Sequence, residues 1–329
     1  MTDSPVVRWA FMGSDPIALP ALEAIATDPR SALVRVWTQP DRPHGRGQRL
    51  ATGPIKQWAS ARGIPVSQPE RMGDLDTELV RTDRIDLVLV MAYGQILRTP
   101  FLQAPRLGTF NLHTSLLPAY RGASPIQTAV ASGEVRTGVT LMRIVPALDA
   151  GPVLDAEAVE IRPDATALDI EALLSRACVP LMVRNWPALL AGTAPEVEQD
   201  ASRVTFCRKL RKEDGVLDFH APAKVLASRI NGLFPWPACY TSIADTPLKL
   251  GGALALEETS PTGSPPGTFL GLRSGGLAFA TGSGVLLLLK LQRPGGKLLP
   301  AEEFLRGFRV PDGTVLPSHP MPELVRKGP

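Results

Sequence analysis

The first half of the chain alternates short apolar runs with segments whose apolar residues recur every three or four positions, and this alternation most restricts what it can fold into. Val6 to Met12 is an apolar run of strand character. Gly13-Ser14 turns the chain into Asp15-Pro16, a helix-capping side chain followed by a proline at the first helical position, where a missing N–H is harmless. Leu19, Leu22 and Ile25 then share one helical face, and Ala32 to Thr38 is the next strand, with Val34 and Val36 on one side. Further strands are expected at Ile85 to Met91, Gly108 to His113, Gly138 to Val145 and Val153 to Ile161. Such alternation implies an α/β fold, a twisted and mostly parallel sheet with helices on both faces. Thr166-Ala-Leu-Asp169 has the spacing of a capping box opening a long helix, which Pro180 is expected to kink or divide.

After Ala191 the pattern changes. A polar stretch with Gly192 and Pro195 leads into short apolar segments (Leu248 to Leu250, Thr268 to Leu272, Leu277 to Thr281, Val285 to Leu291) separated by Gly and Pro clusters, as in a small antiparallel barrel or sandwich. The expected division is a domain over 1–190, a linker over 191–208 and a second domain over 209–329. Five prolines between Pro311 and Pro329 suggest a partly disordered tail.

The net charge of +3 argues little for a polyanionic partner, but it is unevenly spread: residues 1–205 carry −2 and residues 206–329 carry +5. Three dispersed cysteines, Cys178, Cys207 and Cys239, encode neither a disulfide framework nor a thiolate metal cage, which points to a reducing compartment. The N-terminus lacks the basic and apolar regions of a leader, and Val285 to Leu289 is too short to span a bilayer. A cytoplasmic monomer is the expectation.

Gly13 opens a helix after a strand, but Asp15 and Ala18 stand where a dinucleotide fingerprint needs glycine. No phosphate-binding Gly-x4-Gly-Lys motif exists, and His44, His113, His220 and His319 are too dispersed for a zinc site. The informative window is Leu107 to Gly122, LGTFNLHTSLLPAYRG. If Gly108 to His113 is a strand, Asn111 and His113 leave it on one face near its carboxyl end, where open α/β sheets place ligands. An amide donor beside an imidazole suits a carbonyl becoming an oxyanion, although a pair of satisfied polar groups at a strand end would read the same way. Asp149, in the loop Val145 to Gly151, can orient His113, or can be a turn residue. Together the three describe acyl-type transfer to an amine without metal or covalent intermediate.

Asn111-Leu-His113-Thr-Ser115-Leu116-Leu117-Pro118-Ala-Tyr120-Arg121-Gly122, followed by Ala123-Ser-Pro125-Ile126, resembles the Asn-x-His-x-Ser-Leu-Leu-Pro signature of formyltransferases that use 10-formyltetrahydrofolate. Thr137-Gly-Val-Thr140 and Leu148-Asp149-Ala-Gly151 resemble that family's second signature. Thr38 to Leu50 (TQPDRPHGRGQRL), Lys212-Glu-Asp-Gly215 and Phe234-Pro-Trp-Pro237 resemble the branch that formylates methionyl initiator tRNA. The resemblance runs over essentially the whole chain. It departs at Gly13-Ser14-Asp15-Pro16-Ile17, where the family has Gly-Thr-Pro-Asp-Phe, and at Ala147, Ala150 and Pro152 around the retained Asp149.

The resemblance implies a Rossmann-like formyltransferase core followed by an OB-like β-barrel that binds tRNA. It places Asn111, His113 and Asp149 on the catalytic triad, Ser115, Leu116, Leu117 and Pro118 on the folate-binding loop, and Met91 to Leu97 beside the pterin pocket. Asn111 and a protonated His113 would stabilise the oxyanion as the methionyl amine attacks the formyl carbon of 10-formyltetrahydrofolate, and Asp149 would orient His113. The loop bearing Arg42, Arg46 and Arg49 is expected to enter the acceptor arm of initiator methionyl-tRNA, and Arg208, Lys209, Arg211 and Lys212 to contact its backbone. The rivals are a formyltransferase acting on an aminosugar nucleotide or another small amine, and a noncatalytic RNA-binding protein. Aromatic residues at 5% offer the latter little stacking surface, and Trp236 between prolines reads as structural.

Overall fold

The computed structural model describes residues 6–44, 49–260 and 263–328. Seven strands, β1 (Val7–Met12), β2 (Ser31–Trp37), β3 (Val66–Ser67), β4 (Leu87–Val90), β5 (Gly108–His113), β6 (Arg136–Arg143) and β7 (Val153–Glu160), form one sheet in the order β7-β6-β5-β4-β1-β2-β3. From β3 to β5 neighbours are parallel, and β6 runs antiparallel to β5. This is the expected mostly parallel sheet. Its strand order reverses between β1 and β4, so their carboxyl ends flank the crevice where such sheets bind ligands.

Local chemistry explains the first turn of chain. Asp15 caps the 3-10 helix Pro16–Ala18 by accepting from the Ile17 N–H at 3.0 Å, and the helix Leu19–Ala26 follows, burying Ala21, Leu22 and Ile25. A Cβ at Gly13 would collide with the Met91 carbonyl oxygen and the Phe11 ring, so only glycine lets β1 leave the sheet here. In this sheet the ends of the expected strands differ by one or two residues, while β5 spans the expected six.

The capping box forms: the Thr166 N–H donates to Asp169 Oδ2 at 2.8 Å and the Asp169 N–H to Thr166 Oγ1 at 3.4 Å. The helix it opens, Ala167–Ala191, is not divided at Pro180 but continues through Pro180 and Pro187. Leu174 and Cys178 before Pro180, and Leu181, Met182, Trp186 and Leu189 after it, are all buried. Burial at ~1.5–3 kcal/mol per large side chain outweighs the ~3 kcal/mol cost of an interior proline. The Trp186 ring meets Trp9 of β1 edge-on at 4.9 Å.

The later strands are antiparallel. Cys239–Ile243, Thr246–Leu256, Val285–Gln292, Gly276–Ala280 and Phe269–Arg273 pair in that spatial order, with Leu299–Pro300 added beside Val285–Gln292. Leu226, Ile230 and Leu233 of the helix Ala223–Leu233 share a core with Leu248, Leu250, Leu286 and Leu288. The proline-rich tail is ordered rather than loose as far as residue 328: Val325–Lys327 pairs with Thr205–Cys207, and the His319 N–H donates to the Leu217 carbonyl. Prolines lose little entropy on docking, so extended chain held by backbone bonds at both ends suffices.

By its contacts the chain forms two compact units, one of residues 1–121, 138–159 and 172–203, the other of residues 122–137, 160–171 and 204–329. Two excursions of the N-terminal half therefore belong to the second unit, held by bonds such as Ile161 N–H to the Val135 carbonyl and Asn231 Nδ2 to the Pro163 carbonyl.

Candidate active site

β5 brings Asn111 and His113 to one face, their backbones facing Met142 and Thr140 of β6. His113 is buried, and its Nδ1 lies 3.8 Å from Asp149 Oδ2, beyond hydrogen-bond distance. Its Nε2 lies 2.9 Å from the Tyr120 carbonyl oxygen. A carbonyl only accepts, so Nε2 carries a hydrogen, and Nδ1 is the ring nitrogen that faces Asp149. Tyr120 (φ 59°) and Asp149 (φ 47°) both adopt the left-handed conformation that non-glycine residues avoid. Strained backbone thus flanks the imidazole at both nitrogens.

The segment 115–118 is tied to the same strands. Ser115 is fully buried and its hydroxyl donates to the Ala119 carbonyl at 2.6 Å. The buried Thr140 hydroxyl donates to the Ser115 carbonyl at 2.6 Å and accepts from the Leu117 N–H at 3.1 Å. Leu116, Leu117 and Pro118 remain half-buried. A Cβ at Gly138 would strike the Glu157 carbonyl oxygen of β7 as well as Leu116, which accounts for glycine in that strand.

Beyond β4, Ala92 and Gly94 turn with φ of 49° and 81° and are exposed, while Tyr93 is buried. Gln39 Nε2 donates to the Tyr93 carbonyl at 2.7 Å, and Gln68 Nε2 to the Gln39 carbonyl at 2.8 Å. Burial, helped by the Asp76 charge, pushes the Tyr93 phenol upward and keeps it neutral. Its hydroxyl meets Met72 Sδ at 3.2 Å.

The described basic residues differ in what they touch. Arg42 is exposed and pairs with Glu70 at 2.7 Å, whereas Arg46 and the side chain of Arg49 lie outside the described residues. Arg208 grips Asp214 with both guanidinium arms, at 2.6 and 2.8 Å, and also reaches the Glu323 carbonyl at 2.9 Å. Burial opposes the Asp214 charge, but the Arg208 fork, the Arg211 N–H and the charges of Arg208 and Arg229 together hold its carboxyl below the usual range. Lys209, Arg211 and Lys212 are exposed. Trp236, expected to be structural between its prolines, is 56% exposed.

Sequence reasoning missed Tyr120 and Gln199. The first acts through its main chain, which carries no residue-type signal, and the second lies in the stretch read as a linker.

Comparisons with known proteins give the family. A model of the formyl transferase family matches residues 11–185, and one of the formyl transferase C-terminal domain matches residues 209–309. The chain belongs to the formyltransferase family. Within it, the chain is 39% identical to the methionyl-tRNA formyltransferase of Moorella thermoacetica over 94% of its own length and 99% of that protein's. It is 40% identical to the enzyme of that name from Halorhodospira halophila over 93% and 98%. An N-formyltransferase of Helicobacter canadensis, solved with folinic acid and dTDP-3-aminofucose, shares the fold with a TM-score of 0.66 at 17% identity, covering 87% of this chain and 99% of that one. HypX from Aquifex aeolicus, solved with tetrahydrofolic acid, gives 0.59 at 17% identity, over 92% of this chain and 48% of its own.

Proposed function

We propose that this chain transfers the formyl group of 10-formyltetrahydrofolate to the free amino group of methionyl initiator tRNA, giving N-formylmethionyl-tRNA. The observation that carries the chemistry is the His113 imidazole, fixed at Nε2 by the Tyr120 carbonyl and facing Asp149 through Nδ1. The donor supplies a formyl carbon bonded to a nitrogen that leaves as an amine. Its fit rests on the pinned loop Ser115 to Pro118 and on the exposed backbone turn at Ala92 and Gly94, which suits a flat, hydrogen-bonding heterocycle at the sheet's crevice.

The attacking amine must shed a proton. His113 Nδ1 takes that proton and returns it to the donor nitrogen as the carbon–nitrogen bond to the formyl group breaks, and the facing carboxylate of Asp149 stabilises the imidazolium in between. The Asn111 amide donates to the formyl oxygen as negative charge grows there, a contribution typically worth ~3–4 kcal/mol of barrier. Exposed Lys209, Arg211 and Lys212, together with Arg42, Arg46 and Arg49, grip the tRNA, and Arg208 supports them through Asp214. The enzyme works as a cytoplasmic monomer without a metal. Among the described residues no helix is long and apolar enough to cross a membrane.

Formyl transfer measured with charged initiator tRNA, charged elongator tRNA and a dTDP-aminosugar in parallel tests this reading. Initiator tRNA should be strongly preferred; transfer to the sugar alone would replace the reading with its rival.

A further inference from the structure

Asp149 is held by a side chain far away in sequence. Gln199 Nε2 donates to two main-chain carbonyls of the loop that carries it, Asp149 O at 2.8 Å and Gly151 O at 2.7 Å. Gln199 Oε1 in turn accepts from Arg121 Nε at 3.1 Å and Nη2 at 2.8 Å. Arg121 closes the Ser115-to-Arg121 segment that supplies the Tyr120 carbonyl to His113. Its guanidinium is partly desolvated, which lowers its pKa, and the Asp149 charge works in the opposite sense.

The strand-like segment bearing Gln199 is itself anchored. Val197 and Val153 exchange two backbone hydrogen bonds, at 2.8 and 2.9 Å, and Glu196 pairs with Arg143 at 2.5 Å. Loop ends and clamp thus share one support. Asp149 stands in the left-handed region (φ 47°), and the two carbonyl bonds from Gln199 on either side of Ala150 help to hold the loop there.

We propose that Gln199 is a positioning residue for catalysis: bridging Arg121 to the Asp149 and Gly151 carbonyls, it holds the Asp149 carboxylate against His113 and couples the two backbone segments that grip the imidazole. The inference rests on the assignment of His113 and Asp149 to the reaction. No other group needs to move, since both donors and the acceptor of one amide are used.

The test is a double-mutant cycle on the full-length enzyme with charged initiator tRNA and 10-formyltetrahydrofolate. Gln199→Leu keeps the size of the side chain and removes all these hydrogen bonds, and should lower kcat by about tenfold or more while leaving KM for the folate within about twofold. In an Asp149→Asn background the same change should alter kcat less than about twofold, because there is no carboxylate left to position. Gln199→Glu keeps the acceptor for Arg121 but loses the donors to the loop, and should resemble Gln199→Leu; it serves if the leucine variant does not fold. Equal losses in both backgrounds, or kcat within about twofold of the parent at Gln199→Leu, would overturn the clamp. Full activity of Asp149→Asn would instead overturn the site assignment beneath it.

Discussion

His113 is held by opposite means at its two nitrogens: the Tyr120 carbonyl takes the Nε2 hydrogen at 2.9 Å, and Asp149 faces Nδ1 at 3.8 Å without bonding to it. The near bond fixes the orientation of the ring, and the Asp149 carboxylate faces its other nitrogen. The ring is therefore held with one defined nitrogen turned toward Asp149, and this relationship sets the first prediction. His113→Ala and Asn111→Ala, assayed at saturating substrates, should each lower kcat by about 100-fold or more. A loss under about tenfold, equivalent to ~1.4 kcal/mol of barrier, would exclude the residue from the reaction.

Thr140→Val tests the support of the folate loop. The change preserves shape but strips the hydroxyl that bridges the Ser115 carbonyl and the Leu117 N–H in a buried site. Two main-chain groups lose a partner, for an expected cost of about 2–3 kcal/mol in urea unfolding. KM for the folate should rise as well, since the loop loses its tie to β6.

Arg208 and its basic neighbours should separate by phenotype. Arg208→Ala leaves the buried Asp214 carboxylate without its fork and should lower Tm by several degrees, an effect of about 2–4 kcal/mol. Replacing Lys209, Arg211 and Lys212 together by alanine should leave Tm nearly unchanged, raise KM for the tRNA and flatten its dependence on salt, because counterion release scales with the phosphates contacted. A salt-insensitive KM for the parent enzyme would remove these side chains from the tRNA interface.

The same carboxylate predicts an acid limb in the stability profile. Asp214 has a folded-state pKa below its unfolded value, as does Asp155, where burial is outweighed by bonds from Arg184, Asn185 and the Ala156 N–H. A depressed carboxylate contributes stability that is complete above the unfolded pKa of about 3.9 and is lost as pH falls through the lower folded value. Unfolding free energy should therefore drop steeply below about pH 4, and Asp214→Asn should lower the plateau and flatten that limb. Urea titrations between neutral pH and pH 3 measure both.

Gly151→Ala probes the Asp149 loop from the other side. A Cβ there would collide with the Arg143 carbonyl oxygen and press on Val145, so the loop must shift. The expected result is a loss of kcat of about tenfold with a smaller effect on folate KM, read by steady-state kinetics.

Much of this was legible from sequence because it depends on local grammar. Asp15-Pro16 announced a capped turn, Thr166 to Asp169 a helix start, and Gly108 to His113 a strand whose alternation placed Asn111 and His113 together. What escaped was long-range or main-chain. Nothing in the residue type of Tyr120 reveals that its carbonyl holds an imidazole. Gln199 sits in a polar, Gly- and Pro-containing stretch that looks like a spacer, and its role appears only once Val197 is seen paired with Val153. Arg208 resembles Lys209 and Arg211 as text, and only Asp214 six residues on, buried beside it, distinguishes them. Pro180 misled because packing along the helix overrode a local cost.

β5 is an inner strand, with β4 on one side and β6 on the other. Its amides are therefore expected to exchange with solvent only when the sheet opens as a whole, whereas fraying should begin at the edge strands β3 and β7. Asn111 and His113 ride on this inner strand, whereas Asp149 sits on the loop leading into the edge strand β7, so fraying of β7 should release Asp149 first and activity should fall on heating before the sheet opens as a whole.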